Sequence, residues 1–368
     1  MELIISKEEL EEKLILASRF ISTKTPSIRT IQGCYISTKK SGIRIITTNL
    51  NDFLSVSIKA NIKKEGEVVF DIKKTLEFLG FLNTGEVQAY IEENNFVIQQ
   101  GKTKGYFNIF PKEDFPPLPT IEGEEYKFSK EQLDKTNTVL FSASKDETRP
   151  ILTGVYFSHS EGKTSLVTTD GFRLSLFQEK RVKGFPETII PANIISEIIK
   201  LTKKGKEVLI RISTKQKLIV FEVGEVVLYS RILEGEFPPF GKVIPKISTT
   251  QIEANKQDLI KNLRLISVFA RDQSDVVILD IQREGLYLRP KFHQTKKTEI
   301  FQELNSFKGE KIKIAFNYKY ILDFLNNIDS PEVIMEFSQS VAPGVFRTNK
   351  DEGFIHIIMP LRTEETTE

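Results

Sequence analysis

The chain has 368 residues, with 52 Lys and Arg against 50 Asp and Glu, a formal net charge of +2. That balance excludes a polycation that grips nucleic acid by bulk charge. A single cysteine, Cys34, excludes an internal disulfide, and three histidines with it leave too few soft ligands for a zinc cluster. The apolar runs fall short of a membrane span and the N-terminus does not read as a signal peptide, so a cytoplasmic multidomain protein is expected.

In chain order, the first element is a helix opened by Ser6-Lys-Glu-Glu-Leu10, with apolar positions at Leu10, Leu14, Ala17 and Ile21. The strand-like segment QGCYIST follows from Gln32, then GIRIITT and TTNLNDFLSV. A second helix is expected in FDIKKTLEFLGFL, from Phe70. The same plan then recurs. Ser129-Lys-Glu-Gln-Leu133 and Asn255-Lys-Gln-Asp-Leu259 repeat the first opening, 123 and then 126 residues on. IPANIISEIIKL from Ile190 and FNYKYILDFLNNI from Phe316 repeat the second helix, at spacings of 120 and 126. Gly33 and Gly154 are 121 apart, as are Thr47 and Thr168; Phe115-Pro-Pro returns at Phe237, 122 on. VVILDIQ from Val276 fits the strand slot in the third copy. These landmarks give a threefold repeat with a period near 122. Two helices among runs of strands predict an α+β fold, helices on one face of antiparallel sheets. Domain boundaries are expected at the two Pro-rich stretches, giving 1–122, 123–246 and 247–368.

Chemistry-bearing motifs are sparse. Gly162-Lys163-Thr164 ends like a phosphate loop, but Phe157 stands where its first glycine must be, so a hairpin turn is expected. There is no G-x-S-x-G and no His pair at i, i+4. Cys34 reads as a small buried hydrophobe. His159, His293 and His356 read as surface residues, with His356 pointing out of a strand. Asp146-Glu147 and Asp351-Glu352 read as solvated turns. No catalytic residue, metal ligand or cofactor is expected. Basic residues on the helices, Lys73, Lys74, Lys135, Lys200, Lys203, Lys204, Lys261, Arg264 and Lys319, fit either a diffuse phosphate-contacting surface or ordinary solvated faces. Glu8, Glu9, Glu11 and Glu12 on the first helix weigh against simple basicity.

Five segments in order, RPILTGVYF from Arg149, TTDGFRLS from Thr168, EGEFPPFGKVIP from Glu234, FNYKYILDFL from Phe316 and IIMPLRT from Ile357, closely resemble the bacterial DNA sliding clamps, the beta subunits of DNA polymerase III. The resemblance runs from SKEEL to MPLRT. It implies three clamp domains per protomer and a head-to-tail homodimeric ring of six, helices lining a central hole and sheets outside. Such a ring encircles duplex DNA and, without catalysis of its own, tethers the replicative polymerase alpha subunit. The clamp loader, repair polymerases and ligase-type clients are further implied partners. Near-neutral charge suits a ring that must slide.

The resemblance also implies sites. A hydrophobic peptide-binding cleft falls on Leu152, Thr169, Gly171, Phe172, Arg173, Leu174, Pro238, Lys242, Val243, Asn317, Tyr320, Val341 and Pro343, and on Ile357, Ile358, Met359, Pro360, Leu361 and Arg362. Phe172, Lys242 and Pro343 depart from the family's usual residues, which points to a different ranking of client peptides. DNA contacts are implied at Lys24, Arg149, Pro150 and Ile151, joined by Lys73, Lys74, Lys200 and Lys203 of the helices. The ring interface is implied at Phe107 and Ile109 against Val268 and Phe269. Alternatives are a clamp-fold paralogue with altered partner binding and an α+β nucleic-acid enzyme; the missing phosphate loop and metal cluster count against the latter.

Overall fold

Two of the three first-helix openings, at Ser6 and Asn255, carry side-chain caps that start them. In a computed structural model, which describes residues 1–22, 29–40, 42–180, 183–202, 207–291 and 298–366, the Ser6 hydroxyl accepts the Glu9 N–H, and Asn255 accepts those of Gln257 and Asp258. The second-helix openings use Asp71, accepting from Lys73 and Lys74, and Asn317, accepting from Lys319. Each cap satisfies amide donors that a helix leaves unpaired at its start. The first helix stops at Ser18, so Ile21 lies beyond it, though still buried.

Element order repeats three times. The first copy runs β1 (Glu2–Ser6), α1 (Lys7–Ser18), β2 (Cys34–Lys39), β3 (Gly42–Thr48), β4 (Asp52–Ile58), β5 (Asn61–Lys64), β6 (Gly66–Phe70), α2 (Ile72–Phe81), β7 (Glu86–Glu92), β8 (Asn95–Gln100) and β9 (Thr103–Phe110). The second runs β10 (Glu124–Phe128), α3 (Lys130–Leu140), β11 (Gly154–Ser160), β12 (Lys163–Thr169), β13 (Arg173–Lys180), β14 (Thr188–Pro191), α4 (Ala192–Thr202), β15 (Val208–Ser213), β16 (Leu218–Val223) and β17 (Val226–Arg231). The third runs β18 (Thr250–Asn255), α5 (Lys256–Ala270), β19 (Val276–Gln282), β20 (Gly285–Pro290), β21 (Ile300–Gln302), β22 (Ser306–Gly309), β23 (Ile312–Asn317), α6 (Tyr318–Asn327), β24 (Glu332–Phe337), β25 (Gly344–Arg347) and β26 (Phe354–Ile358).

Every strand pairing among the described residues is antiparallel, and the sheets cross repeat boundaries. The last strand of a repeat pairs with the fourth strand of the repeat before it: β17 with β4 (Leu228 opposite Leu54) and β26 with β13 (Ile357 opposite Leu174). The chain accordingly forms two compact units, Met1–Lys130 with Lys200–Ile232 and Glu131–Ile199 with Leu233–Glu368. The first holds a 13-stranded sheet, β10-β15-β16-β17-β4-β3-β2-β6-β9-β8-β7-β1-β5. Its core includes Leu10 and Leu14 of α1, Leu54, Val56, Phe70, Leu79 and Phe96. The second holds a nine-stranded sheet, β14-β11-β12-β13-β26-β25-β24-β18-β22, and a four-stranded one, β21-β20-β19-β23. Phe157, Leu263, Ile278, Phe316, Phe324, Phe337 and Phe346 are among its buried side chains.

Glycines 33 and 154 mark one repeated close approach. A Cβ at Gly33 would lie 2.9 Å from Phe110 and Val69; one at Gly154 would lie 2.5 Å from Ile189. Glu161 and Gly162, both at positive φ, form the two-residue turn closing Ser160 against Lys163, so this stretch is the expected hairpin and no phosphate loop. Cys34 is buried, and its burial pushes the thiol pKa up.

The histidines correct the sequence reading. His356 is fully buried, its Nδ1 2.9 Å from the Ser175 hydroxyl and its ring stacked on Phe324. His159 is half-buried, with Nδ1 3.0 Å from the Thr164 hydroxyl. Alternation misled here because β26 is covered on both faces, its burial running unbroken from Phe354 to Ile358. His293 lies outside the described residues.

Candidate functional site

The turn between β12 and β13 is built by its own side chains. Asp170 Oδ1 accepts the N–H groups of Phe172 (2.9 Å) and Arg173 (3.0 Å). The Thr169 hydroxyl donates to the Arg173 carbonyl at 2.6 Å and accepts the Gly171 N–H at 3.1 Å. Gly171 has φ +94°, and a Cβ there would meet the Arg149 guanidinium at 3.3 Å. Both facts call for glycine.

Arg173 leaves this turn pointing into the protein. Its Nε donates to Asp170 Oδ2 (3.0 Å), one terminal nitrogen to Asp323 Oδ2 (2.6 Å) and the other to the Phe141 carbonyl (3.0 Å). The guanidinium also lies over the Tyr320 ring at 4.7 Å and near Phe141 at 5.8 Å. Its side chain is 10% exposed, so the fork is consumed by the protein rather than offered to a ligand.

Beside it lies an apolar cluster: Val167, Leu174, Leu176, Ile189, Phe237, Ile355 and Ile357, with Ile151, Tyr156, Leu233, Phe240, Val243 and Ile244 partly covering it. The C-terminal segment runs along this cluster. Ile358 is paired with Arg173 in the sheet, and the Met359 N–H then donates to the Phe172 carbonyl at 2.8 Å. The Leu361 N–H donates to the Ala315 carbonyl at 2.8 Å, and its side chain packs on Val276, Ile278 and Ala315. Met359 and Pro360 are half-buried, whereas Phe172 and Val341 are 55% and 51% exposed. An apolar floor, a half-buried Met and exposed apolar residues beside polar backbone suit a short peptide with apolar anchors.

Leu152, Thr169, Leu174, Ile357 and Ile358 are buried, and Pro238, Lys242 and Arg362 are exposed. Pro343 is half-buried, and the Asn317 carboxamide caps α6 through the Lys319 N–H at 2.9 Å. The sequence reading missed Asp170, Asp323, Phe141 and His356. The signal for Asp323 was its place three residues after Tyr320 on one helix face. A second signal was the repeat itself, since Phe115, Phe237 and Met359 stand 122 apart. The Phe115 and Phe237 rings stack on Tyr35 and Tyr156 at 5.4 and 4.7 Å, while the strand registers put Ile278 at the corresponding tyrosine position.

Of the expected nucleic-acid contacts, Lys73, Lys74, Lys200, Arg149 and Pro150 are exposed. Arg149 pairs with Asp146 at 3.0 Å. Ile151 instead packs, half-buried, against the apolar cluster. Lys24 and Lys203, like Lys204, lie outside the described residues. Lys135 and Lys319 are held by Glu131 and Asp275, each at 2.7 Å. Among the described residues no three His, Cys, Asp or Glu stand together as metal ligands, and no helix is long and apolar enough to cross a membrane.

The expected interface residues divide. Val268 and Phe269 are 61% and 50% exposed on α5, beside exposed Leu265 on the same helix and Phe301 on β21. Ile109 is half-buried. Phe107 corrects the expectation: it turns inward, edge-on to Phe78 at 5.6 Å, and Tyr106 is the exposed neighbour. Successive strand residues face opposite ways, so Phe107 and Tyr106 cannot both point out.

Comparison with known proteins closes the question of family. Models of the DNA polymerase III beta subunit match in order: the N-terminal domain over residues 1–119, the central domain over 128–239 and the C-terminal domain over 241–362. The beta sliding clamp of Bacillus subtilis is 26% identical, over 99% of this chain and 100% of its own length. The crystal structure of the Bacillus subtilis sliding clamp superposes with a TM-score of 0.89 at 25% identity, covering 99% of each chain. The sliding clamp of Bartonella birtlesii, solved bound to griselimycin, superposes with a TM-score of 0.91 at 26% identity, covering 99% of this chain and 100% of its own. With three clamp repeats of mixed helix and antiparallel sheet, matched along the chain, this protein belongs to the DNA polymerase III beta subunit family, the bacterial sliding clamps.

Proposed function

We propose that the chain is a non-catalytic processivity factor that closes head-to-tail with a second copy around duplex DNA. In this reading the loader opens the ring, and the polymerase and its other clients dock in the cleft through short peptides. The domains are the three repeats, 1–122, 123–246 and 247–368, and the ring works in the cytoplasm at the replication fork. The observation that carries it is an incomplete pattern of strand edges. Within the chain, β17 completes β4 and β26 completes β13. By the same rule β9 needs the fourth strand of a preceding repeat and β21 needs the last strand of a following one. Along β9 the sheet partner opposite β8 reaches only Ile109 and Phe110, while β21 ends its sheet. A second copy supplies both missing strands at once, and two such contacts close a ring. It also covers edges that would otherwise promote aggregation.

Register follows by homology of the repeats. Val226 faces Val56. The hairpin turns before β17 and β9 place Val226 with Thr103, and the registers of β4 on β3 and β21 on β20 place Val56 with Ile300. Thr103 of one copy is therefore expected opposite Ile300 of the other, with Lys104 opposite Glu299. Lys102 and Lys104 by β9 meet an edge carrying Glu299 and Glu303. Exposed Leu265, Val268 and Phe269 pack beside this seam.

Exposed Lys73, Lys74 and Lys200 on the helices, with Arg149, give diffuse phosphate contacts without base readout. The test is topological. The protein is loaded by its clamp loader onto nicked circular DNA, which is then linearised. Linearisation is expected to release it; retention equal to that on the circle overturns the reading.

A further inference from the structure

The repeat plan creates a pairing problem. Three last strands, β9, β17 and β26, and three fourth strands, β4, β13 and β21, are alike in backbone pattern, so hydrogen bonding along the edges does not distinguish right from wrong partners. Buried side chains at the two seams within the chain do. Where β4 meets β17, the Ser230 hydroxyl donates to Asp52 Oδ1 at 2.6 Å, and Asn49 donates to the other carboxylate oxygen at 3.0 Å. Ser230 is fully buried and Asp52 is 8% exposed. Where β13 meets β26, the Ser175 hydroxyl stands 2.9 Å from His356 Nδ1 and 2.7 Å from the Ser142 hydroxyl, and all three residues are fully buried.

The two pairs occupy different rungs. Thr48 and Thr169 are 121 apart, which sets Asp52 against Arg173 and Leu54 against Ser175. The sheet registers then set Ser230 against Ile358 and Leu228 against His356. Laying β26 on β4 would put His356 opposite Leu54 and Ile358 opposite Asp52. Laying β17 on β13 would put Leu228 opposite Ser175 and Ser230 opposite Arg173. Each exchange buries polar groups without their partners. Orphaning one such group disfavours the wrong pairing by roughly tenfold or more.

We propose that the Asp52–Ser230 pair and the Ser142–Ser175–His356 triad are partner-selection devices, which direct each strand edge to its own seam and keep those edges from pairing with a second copy of the chain. A buried polar pair that fixes register is a known use of such groups. The inference goes beyond the DNA-tethering reading and concerns assembly alone.

The test refolds the full-length protein from urea over a range of concentrations and reads assembly mass by native mass spectrometry. Two variants accompany the parent: Ser142→Ala/Ser175→Ala/His356→Leu, which erases one device, and Leu54→Ser/Leu228→His, which copies its cross-strand Ser–His pair into the other seam. The parent is expected to return one assembly. The variants are expected to fold by circular dichroism but to raise the share of larger, strand-exchanged assemblies about tenfold, more at higher concentration. A folded variant that returns only the parent's mass overturns the proposal. So does loss of folding in both variants, which would make these groups core supports rather than selectors. Failure to be retained on circular DNA, with assembly unchanged, bears on the clamp reading instead.

Discussion

The Arg173 guanidinium and the Asp323 carboxylate meet at 2.6 Å, joining the end of the β12–β13 turn to helix α6. The sequence offered Arg173 as a cleft residue and carried no expectation for Asp323. Together they fix Tyr320, over which the guanidinium lies, and hold the turn against α6 in one geometry.

Arg173→Ala should cost about 3 kcal/mol, since it strands Asp170 and the Phe141 carbonyl as well as Asp323. Arg173→Lys should not restore the parent, because an ammonium cannot serve three acceptors from a planar fork. Asp323→Asn, at a 48% exposed carboxylate, should cost about 1 kcal/mol or less. Urea denaturation gives the stabilities, and client-peptide titration should show weaker binding for Arg173→Ala than for Asp323→Asn. Equal stability of parent and Arg173→Ala would rule out the strut.

Acid should destabilise the protein through His356. Burial first, and the nearby Arg173 charge second, hold its pKa well below the usual histidine range. The unfolded chain therefore binds a proton that the folded chain refuses. Stability from this source is complete above the unfolded pKa of about 6.5 and falls as pH drops below it, by up to about 1.4 kcal/mol per pH unit. Asp52, whose pKa burial raises, acts in the opposite sense at lower pH. Urea midpoints from pH 7.5 to 5.5 should fall for the parent and run flatter for His356→Leu. Parallel curves would assign the acid sensitivity elsewhere.

Substitutions at Phe107 and Phe269 should have different consequences. Phe107→Ala empties a buried site and should cost about 3–5 kcal/mol in the protomer. Phe269→Lys should leave the protomer's thermal unfolding near the parent's while dilution yields monomers, because closure would bury an unpaired charge. Sedimentation across a dilution series separates the two. A Phe269→Lys dimer as dilution-resistant as the parent would remove α5 from the interface.

Deleting Met359 to Arg362 should abolish polymerase binding and leave the dimer intact. The loss includes the Met359 bond to the Phe172 carbonyl and the Leu361 packing, so a moderate fall in stability should accompany it. Polymerase affinity equal to the parent's would displace the cleft from this segment.

Periodicity made much of the fold legible. The caps at Ser6 and Asn255, the second helices and the hairpin at Gly162 all follow from local chemistry that the chain spells out. What stayed hidden is what depends on contacts between distant segments. The inward turn of Phe107 is fixed by Phe78, 29 residues away in sequence. The burial of His356 requires β13, α6 and Phe141 to converge on it. The expectation of a cleft came through resemblance and not through any local pattern, since Leu174 or Ile357 alone looks like any core residue. Asp170 and Asp323 escaped because an acid in a turn or on a helix face is ordinary until its partner is known.

The unit that recurs along the chain is not the unit that folds. Cutting the polypeptide at the repeat boundaries near residues 122 and 246 would sever β17 from β4 and β26 from β13. A proteolytic or expression fragment should instead be stable when it respects the offset, keeping Lys200–Ile232 with the first 130 residues. For the same reason the middle repeat cannot be lost whole without leaving both of its neighbours with a ragged sheet. Its two halves are tied to different neighbours, and that holds the number of repeats at three.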